Sequence, residues 1–248
     1  MSDTASFDSN WWKAEKAMSL ERKAREKISS LSLAKPGDAF LIVTEGTVTE
    51  PVYFDLLLQE LQLSVVRIKV QPGDDSDPRH VIETAAREAK EQVRRNKNCM
   101  IGNGPSKYDQ VWAVVDTDVA VRQGFWKDVK QLAKSKKVML AHSTPCFEFW
   151  LLLHIAGYTT RSDLHNGDAA KSAVKSALGR EYSTTGKTAR ESISSFFAKW
   201  TGAVKHAESV RRHHQAAATP EPANPSTEMD LLARALNDSA PQHMRKLR

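Results

Sequence analysis

Residues 39–46, AFLIVTEG, form a continuous apolar run that stops at a threonine, a glutamate and a glycine. Such a run, with no polar residue alternating into it, suits a strand buried on both faces, as in a parallel sheet covered by helices. The segments that follow repeat the pattern. Val52, Tyr53, Leu56, Leu57 and Leu61 recur at helical spacing over residues 51–62. Pro51 suits the first helical position, where its missing N–H has no partner, and it biases Glu50 toward the cap. Residues 64–73, SVVRIKVQPG, predict a second strand, and residues 78–95 a helix with Val81, Ala85, Ala89 and Val93 on one face. Residues 111–118, VWAVVDTD, predict a third strand, residues 122–135 a helix, and residues 137–144, KVMLAHST, a fourth strand. The apolar segment CFEFWLLLHIA, 146–156, predicts a helix directly after it. Strand and helix in alternation imply an α/β protein with a doubly wound, mainly parallel sheet of four strands.

The chain divides into three parts: a basic N-terminal arm over residues 1–36, an α/β core over 37–159, and a C-terminal helical extension with a basic tail over 160–248. The arm carries Trp11 and Trp12 and a basic helical run, LERKAREKISSLSL, at 20–33. In the extension, short helical segments fit between 168 and 214. The prolines of AAATPEPANPSTE, 216–228, forbid continuous helix, and MDLLARAL predicts a last one.

With 248 residues, 40% hydrophobic and 27% charged, the chain can bury a core without disulfides or a structural metal. Its two cysteines, Cys99 and Cys146, form no CxxC or Cys/His cluster, which argues against a zinc site and for a reducing compartment. No stretch approaches the roughly 18 apolar residues of a membrane span, and no signal-peptide pattern opens the chain, so a cytoplasmic location is expected. The net charge of +6 is concentrated in the two flanks. Basic flanks either form a solvated surface or hold a phosphate backbone through counterion release.

In open parallel sheets, ligands bind outside the carboxyl ends of the strands. Glu45 ends the first strand, Asp116 and Asp118 end the third, Glu148 follows the fourth, and Glu50 opens the helix near Glu45. Hard oxygen ligands on converging loops are what Mg²⁺ requires. A turn at Thr117 would let both aspartates reach one ion. Such an ion activates water and offsets charge on a phosphodiester, and Glu45 can serve as general acid or base. Alone, a DxD equally caps helices or meets solvent; two acidic motifs on strands one and three make a metal site more specific. Glu148, among Phe147, Phe149 and Trp150, fits either a structural hydrogen-bonder or a carboxylate held beside the metal. His142, His154 and His165 lack metal-ligand spacing, and His213-His214 suits the surface. Cys146 precedes a helix, where a thiol pKa can fall, but no histidine partner is identifiable and a buried structural cysteine is the better reading. The glycine-rich GNGPSK lacks P-loop spacing.

LIVTEGTVTEPVYF (41–54), YDQVWAVVDTD (108–118), STPCFEFWLLLH (143–154) and NPSTEMDLLARAL (224–236) together resemble, in order and spacing, the RloB family of Toprim-like proteins over roughly residues 38–236. The resemblance implies the Toprim (Rossmannoid) fold of topoisomerases, bacterial primases and OLD-type nucleases. It implies that Glu45 is the general acid/base, that Asp116 and Asp118 bind Mg²⁺ (or Mn²⁺), and that Glu50 and Glu148 support the metal. It further implies an effector of antiphage defence or abortive infection that cuts RNA or DNA and is controlled by a partner ATPase. The chain departs from the family at Thr47, Val48 and Thr117, where relatives often carry basic residues. That loss of positive charge motivates an alternative: a non-catalytic Toprim-like subunit that binds an ATPase or nucleic acid. Nucleotidyl transfer, as in primases, is disfavoured because nothing suggests a nucleotide-base pocket.

Overall fold

A computed structural model describes residues 37–63, 68–72, 77–98, 107–155, 164–179, 182 and 186–247. The N-terminal helical run, Trp11 and Trp12, Cys99 and most of GNGPSK lie outside them. The chain alternates β1 (Phe40–Thr44), α1 (Thr49–Glu60), β2 (Ile68–Pro72), α2 (Pro78–Asn98) and β3 (Gln110–Asp116). It continues through α3 (Asp118–Arg122), α4 (Trp126–Lys136), β4 (Met139–Thr144) and α5 (Phe147–Leu152). Then come α6 (Gly167–Leu178), α7 (Gly186–Phe197), α8 (Trp200–Ala216), β5 (Ser226–Thr227) and α9 (Met229–Ser239). The sheet order is β2-β1-β3-β4-β5. The first four strands are parallel, and the two-residue β5 pairs antiparallel with β4. This is the expected Toprim-like arrangement, with the further helices at the C-terminal end. Among the described residues, no helix is long and apolar enough to cross a membrane.

β1 is buried along its whole length and β3 over its middle, because both sheet faces are covered there. Side chains alternate across a strand, so Phe40 and Ile42 of β1 enter one core while Leu41 and Val43 enter the other. The second core packs α2 (Val81, Ile82, Ala85) and α4 (Trp126, Val129) beneath the sheet. The first takes Tyr53 and Leu57 of α1, Trp150 of α5, and, from the C-terminal region, Val174, Ile193, Trp200 and Leu232. Within it, His154 Nδ1 lies 3.0 Å from the Trp150 carbonyl, so that nitrogen carries the proton; Nε2 then accepts the Tyr53 hydroxyl at 3.1 Å. Burial holds this imidazole neutral, with its pKa lowered to about 4.

Three local expectations are corrected. Helix α1 begins at Thr49, with Val48 as N-cap, so Pro51 is the third residue and Glu50 lies inside the first turn. The first intrahelical bond runs from Val52 N–H to the Val48 carbonyl at 3.0 Å. A proline anywhere before it sacrifices no bond, because the first N–H groups of a helix have no partner. The helix expected at 122–135 starts later, at Trp126, as α4; a separate short helix, α3, ends at Arg122, and Gly124 (φ 77) parts the two. A residue with a Cβ resists that left-handed geometry. Residues 226–227, expected as loop, pair as β5, where the Ser143 and Thr227 hydroxyls lie 2.8 Å apart and Glu228 N–H donates to the His142 carbonyl at 2.8 Å.

Candidate functional site

Strands β1 and β3 end side by side, with Thr44 opposite Val114, and the acidic residues follow at once. Glu45 continues the ladder by donating its N–H to the Val114 carbonyl at 3.0 Å, and its Oε2 accepts the Asp116 N–H at 3.0 Å. Asp116 Oδ1 accepts the Phe147 N–H at 2.8 Å, so a carboxylate from β3 satisfies an orphan donor at the start of α5, whose own N-cap, Cys146, makes no side-chain capping bond. Glu50 turns back from the first turn of α1, and its Oε1 accepts the Gly46 N–H at 3.1 Å. Glu148, in the first turn of α5, accepts the Tyr182 hydroxyl at 3.4 Å.

Glu45, Glu50, Asp116 and Glu148 line one cleft of about 280 Å³, with Gly46, Thr47, Val48, Thr49, Phe147 and Lys171. Glu50 and Glu148 are buried and the other two part-buried. Asp118 does not line the cleft. The chain does turn at Thr117, whose hydroxyl donates to Thr144 Oγ1 at 2.8 Å, but Asp118 begins α3, and its Oδ1 accepts the Val119 N–H at 2.7 Å.

Crowded, desolvated carboxylates resist ionisation. Burial pushes Glu45 up to about 8, aided by Glu50, Asp118 and Asp77 and opposed by the Asp116 N–H. Burial likewise lifts Glu50 to about 7; Glu148 adds to this, while backbone N–H groups and Lys171 draw it back. Asp116 is held well above the carboxylate range by burial first, then by Glu45, Glu50, Glu148 and Asp118. The Cys146 thiol is buried and pushed up rather than down, as suits a structural cysteine. His214 is held by the Pro225 carbonyl, 2.8 Å from Nε2.

Gly46 is required by this packing. A Cβ there would lie 2.0 Å from Glu50 Oε2. Gly46→Ala is therefore expected to expel the Glu50 carboxylate into solvent, moving its pKa from about 7 to near the ordinary 4.5. Carboxyl ¹³C NMR titration of the variant checks this; a Glu50 resonance still titrating near 7 would contradict it.

The donor set is all hard oxygen, which fits Mg²⁺ or Mn²⁺ in kind. Among the described residues, no three His, Cys, Asp or Glu side chains stand together as a metal-holding group. Mg²⁺ needs no such cage: it keeps several waters and takes one or two carboxylates, with substrate phosphates completing the octahedron. One oxygen each of Glu45, Asp116 and Glu50 is spent on a backbone N–H, leaving the other for such a role.

Sequence reasoning singled out the four cleft carboxylates but not Lys171 or Tyr182. Both come from the C-terminal region, where no motif marks them. A protein-family model described as RloB-like protein matches residues 40–236. The search of curated proteins returned no match, nor did that of solved structures.

Proposed function

The chain belongs to the RloB-like family, and from that premise we propose that it is a metal-dependent nuclease of the Toprim type, cutting RNA or DNA phosphodiesters. The observation that carries the reading is the meeting of Glu45, Glu50, Asp116 and Glu148 on one cleft at the carboxyl ends of parallel strands. Asp116, through the oxygen that Phe147 leaves free, would hold the ion with Glu50 or Glu148, and Asp118, outside the cleft lining, would join through an intervening water. When bound, Mg²⁺ or Mn²⁺ supplies Lewis-acid stabilisation of charge on the phosphoryl oxygens. Glu45, with a pKa of about 8, is largely protonated at neutral pH. It donates that proton to the leaving oxygen and is regenerated by the proton that the attacking water gives up. The basic flanks hold the polynucleotide backbone. Service in antiphage defence under a partner ATPase rests on family resemblance alone.

Asp118 bonds its own helix terminus and lies outside the cleft lining, which favours a second reading, a Toprim-like subunit that binds an ATPase or nucleic acid without hydrolysis. Cleavage assays on tRNA, single-stranded DNA and plasmid, in Mg²⁺, Mn²⁺ or EDTA, decide between them. The nuclease reading expects cleavage in either metal, none in EDTA, and a fall of about 100-fold or more in Glu45→Gln. No products with either metal, even beside the partner ATPase, leave the second reading, whereas metal-independent products contradict both.

A further inference from the structure

We propose that Lys171 is the phosphate-binding residue of the acidic cleft, contributed by the C-terminal helices rather than by the strand-end loops. This rests on the nuclease reading and assigns a cation to the same site.

Four carboxyl groups line the cleft, and a polynucleotide brings one negative charge per phosphate, so an incoming strand loses water there and is repelled by whichever of them are ionised. A single divalent ion offsets only part of this. Among the described residues, Lys171 is the only cationic side chain in the lining. The remaining lining residues are neutral: Gly46, Thr47, Val48, Thr49 and Phe147.

Position follows from local structure. Asn166 caps α6, its Oδ1 accepting the Ala169 N–H at 2.9 Å, and Gly167 opens the helix. A Cβ on Gly167 would lie 3.7 Å from Cys146 Sγ and 3.9 Å from Asp118 Oδ2, so the start of α6 packs against the turns that carry Asp116 and Glu148. Ala170, Ala173 and Val174 bury the inner face of α6. Lys171, one residue past Ala170, is left exposed at the cleft with its stem anchored by a packed helix. It acts on Glu50, opposing the lift in that carboxyl's pKa, so its charge is felt inside the cleft. Yet it makes no hydrogen bond or ion pair among the described residues. An ammonium that reaches a carboxylate-lined cleft without being consumed by an ion pair can still donate to a nonbridging phosphate oxygen.

The test uses the full chain and a 5′-labelled 20-nucleotide single strand, as RNA and as DNA of the same sequence. Binding is followed by anisotropy across a salt series in Ca²⁺, and cleavage in Mg²⁺. Lys171→Gln is expected to weaken binding about 5- to 10-fold, to reduce the salt slope by about one, and to raise KM more than it lowers kcat. Lys171→Arg keeps most of the affinity. Lys205→Gln, on α8 and outside the cleft lining, controls for loss of a surface charge. Unchanged affinity and slope in Lys171→Gln, or an equal loss in Lys205→Gln, overturns the assignment. Failure of the nuclease reading looks different: Asp116→Asn would then cleave as wild type does, whatever Lys171 variants do.

Discussion

Asparagine in place of Asp116 is expected to cut metal-dependent cleavage by about 10³-fold while leaving the fold as stable as the wild type, or more so. Removing one charged ligand from a catalytic ion forfeits about 4 kcal/mol of transition-state stabilisation, which is roughly three decades in rate. Stability moves the other way because burial and its four acidic neighbours hold Asp116 well above the carboxylate range. The folded protein therefore keeps it neutral where an unfolded chain would ionise it. An asparagine is neutral at every pH and still presents an acceptor to the Phe147 N–H.

The sign of the wild-type pH dependence follows by linkage. A group whose folded pKa is raised contributes stability that is fully present below its unfolded value and is lost as pH rises through the folded one. Glu45 spans about 4.5 to 8 and Glu50 about 4.5 to 7. His154 runs oppositely, lowered from 6.5 to about 4, so it adds stability as pH climbs through that range and partly masks the carboxylates below pH 6.5. Above 6.5 only the carboxylates act, and in EDTA the wild-type melting midpoint is expected to fall between about pH 6.5 and 8.5. Mg²⁺ recovers more of it at the upper end, because ionised carboxylates bind the cation without first releasing a proton. Asp116→Asn flattens the decline. Melting curves across that range, with and without Mg²⁺, check all three; a variant as pH-sensitive as wild type, or one that still cleaves, contradicts the account.

The largest loss of stability is expected at Arg211. Its guanidinium grips Asp230 through two bonds of 2.8 and 2.7 Å, and the Asp230 side chain is fully buried while that of Arg211 keeps 27% of its exposure. Asp230 raises the Arg211 pKa first through hydrogen bonding and then through its charge, with Glu228 and Glu208 adding theirs. Arg211→Ala strands Asp230 in the interior and removes the shared cation of three carboxylates. The expected cost is about 3 kcal/mol, the low end for breaking a buried pair because the arginine is part-exposed. Asp230→Asn is expected to cost less, since the freed guanidinium can reach water and the amide oxygen still accepts. Urea denaturation of both variants tests the asymmetry, and equal losses would refute it.

Much of the sheet was legible because its strands are buried on both faces: FLIVT and VWAVV could be placed only where both sides are apolar. Two residues of β5 are too few for any periodicity, and what makes Ser226 and Thr227 a strand is the free edge of β4. The expected helix start at Arg122 ignored Gly124, a breaker visible in the chain between two helical stretches. The cleft carboxylates follow strand ends, so topology and motif pointed to them together. That Asp118 bonds its own helix terminus is a matter of which way the chain turns after Thr117. Lys171 approaches from far along the chain, and only packing reveals it.

The first core, shared among residues as distant as Tyr53, Trp150, Trp200 and Leu232, sets a timetable for synthesis. A ribosome that has released the chain only as far as β4 has made the parallel strands and α1, but the apolar sides of both still await Trp200 and Leu232. Such a nascent chain presents sticky surface to the cell until its last helix emerges, a state prone to aggregation. Closure of the first core therefore waits for α9 to leave the ribosome, whereas the cleft gains its Lys171 wall earlier, once α6 has followed β4 out.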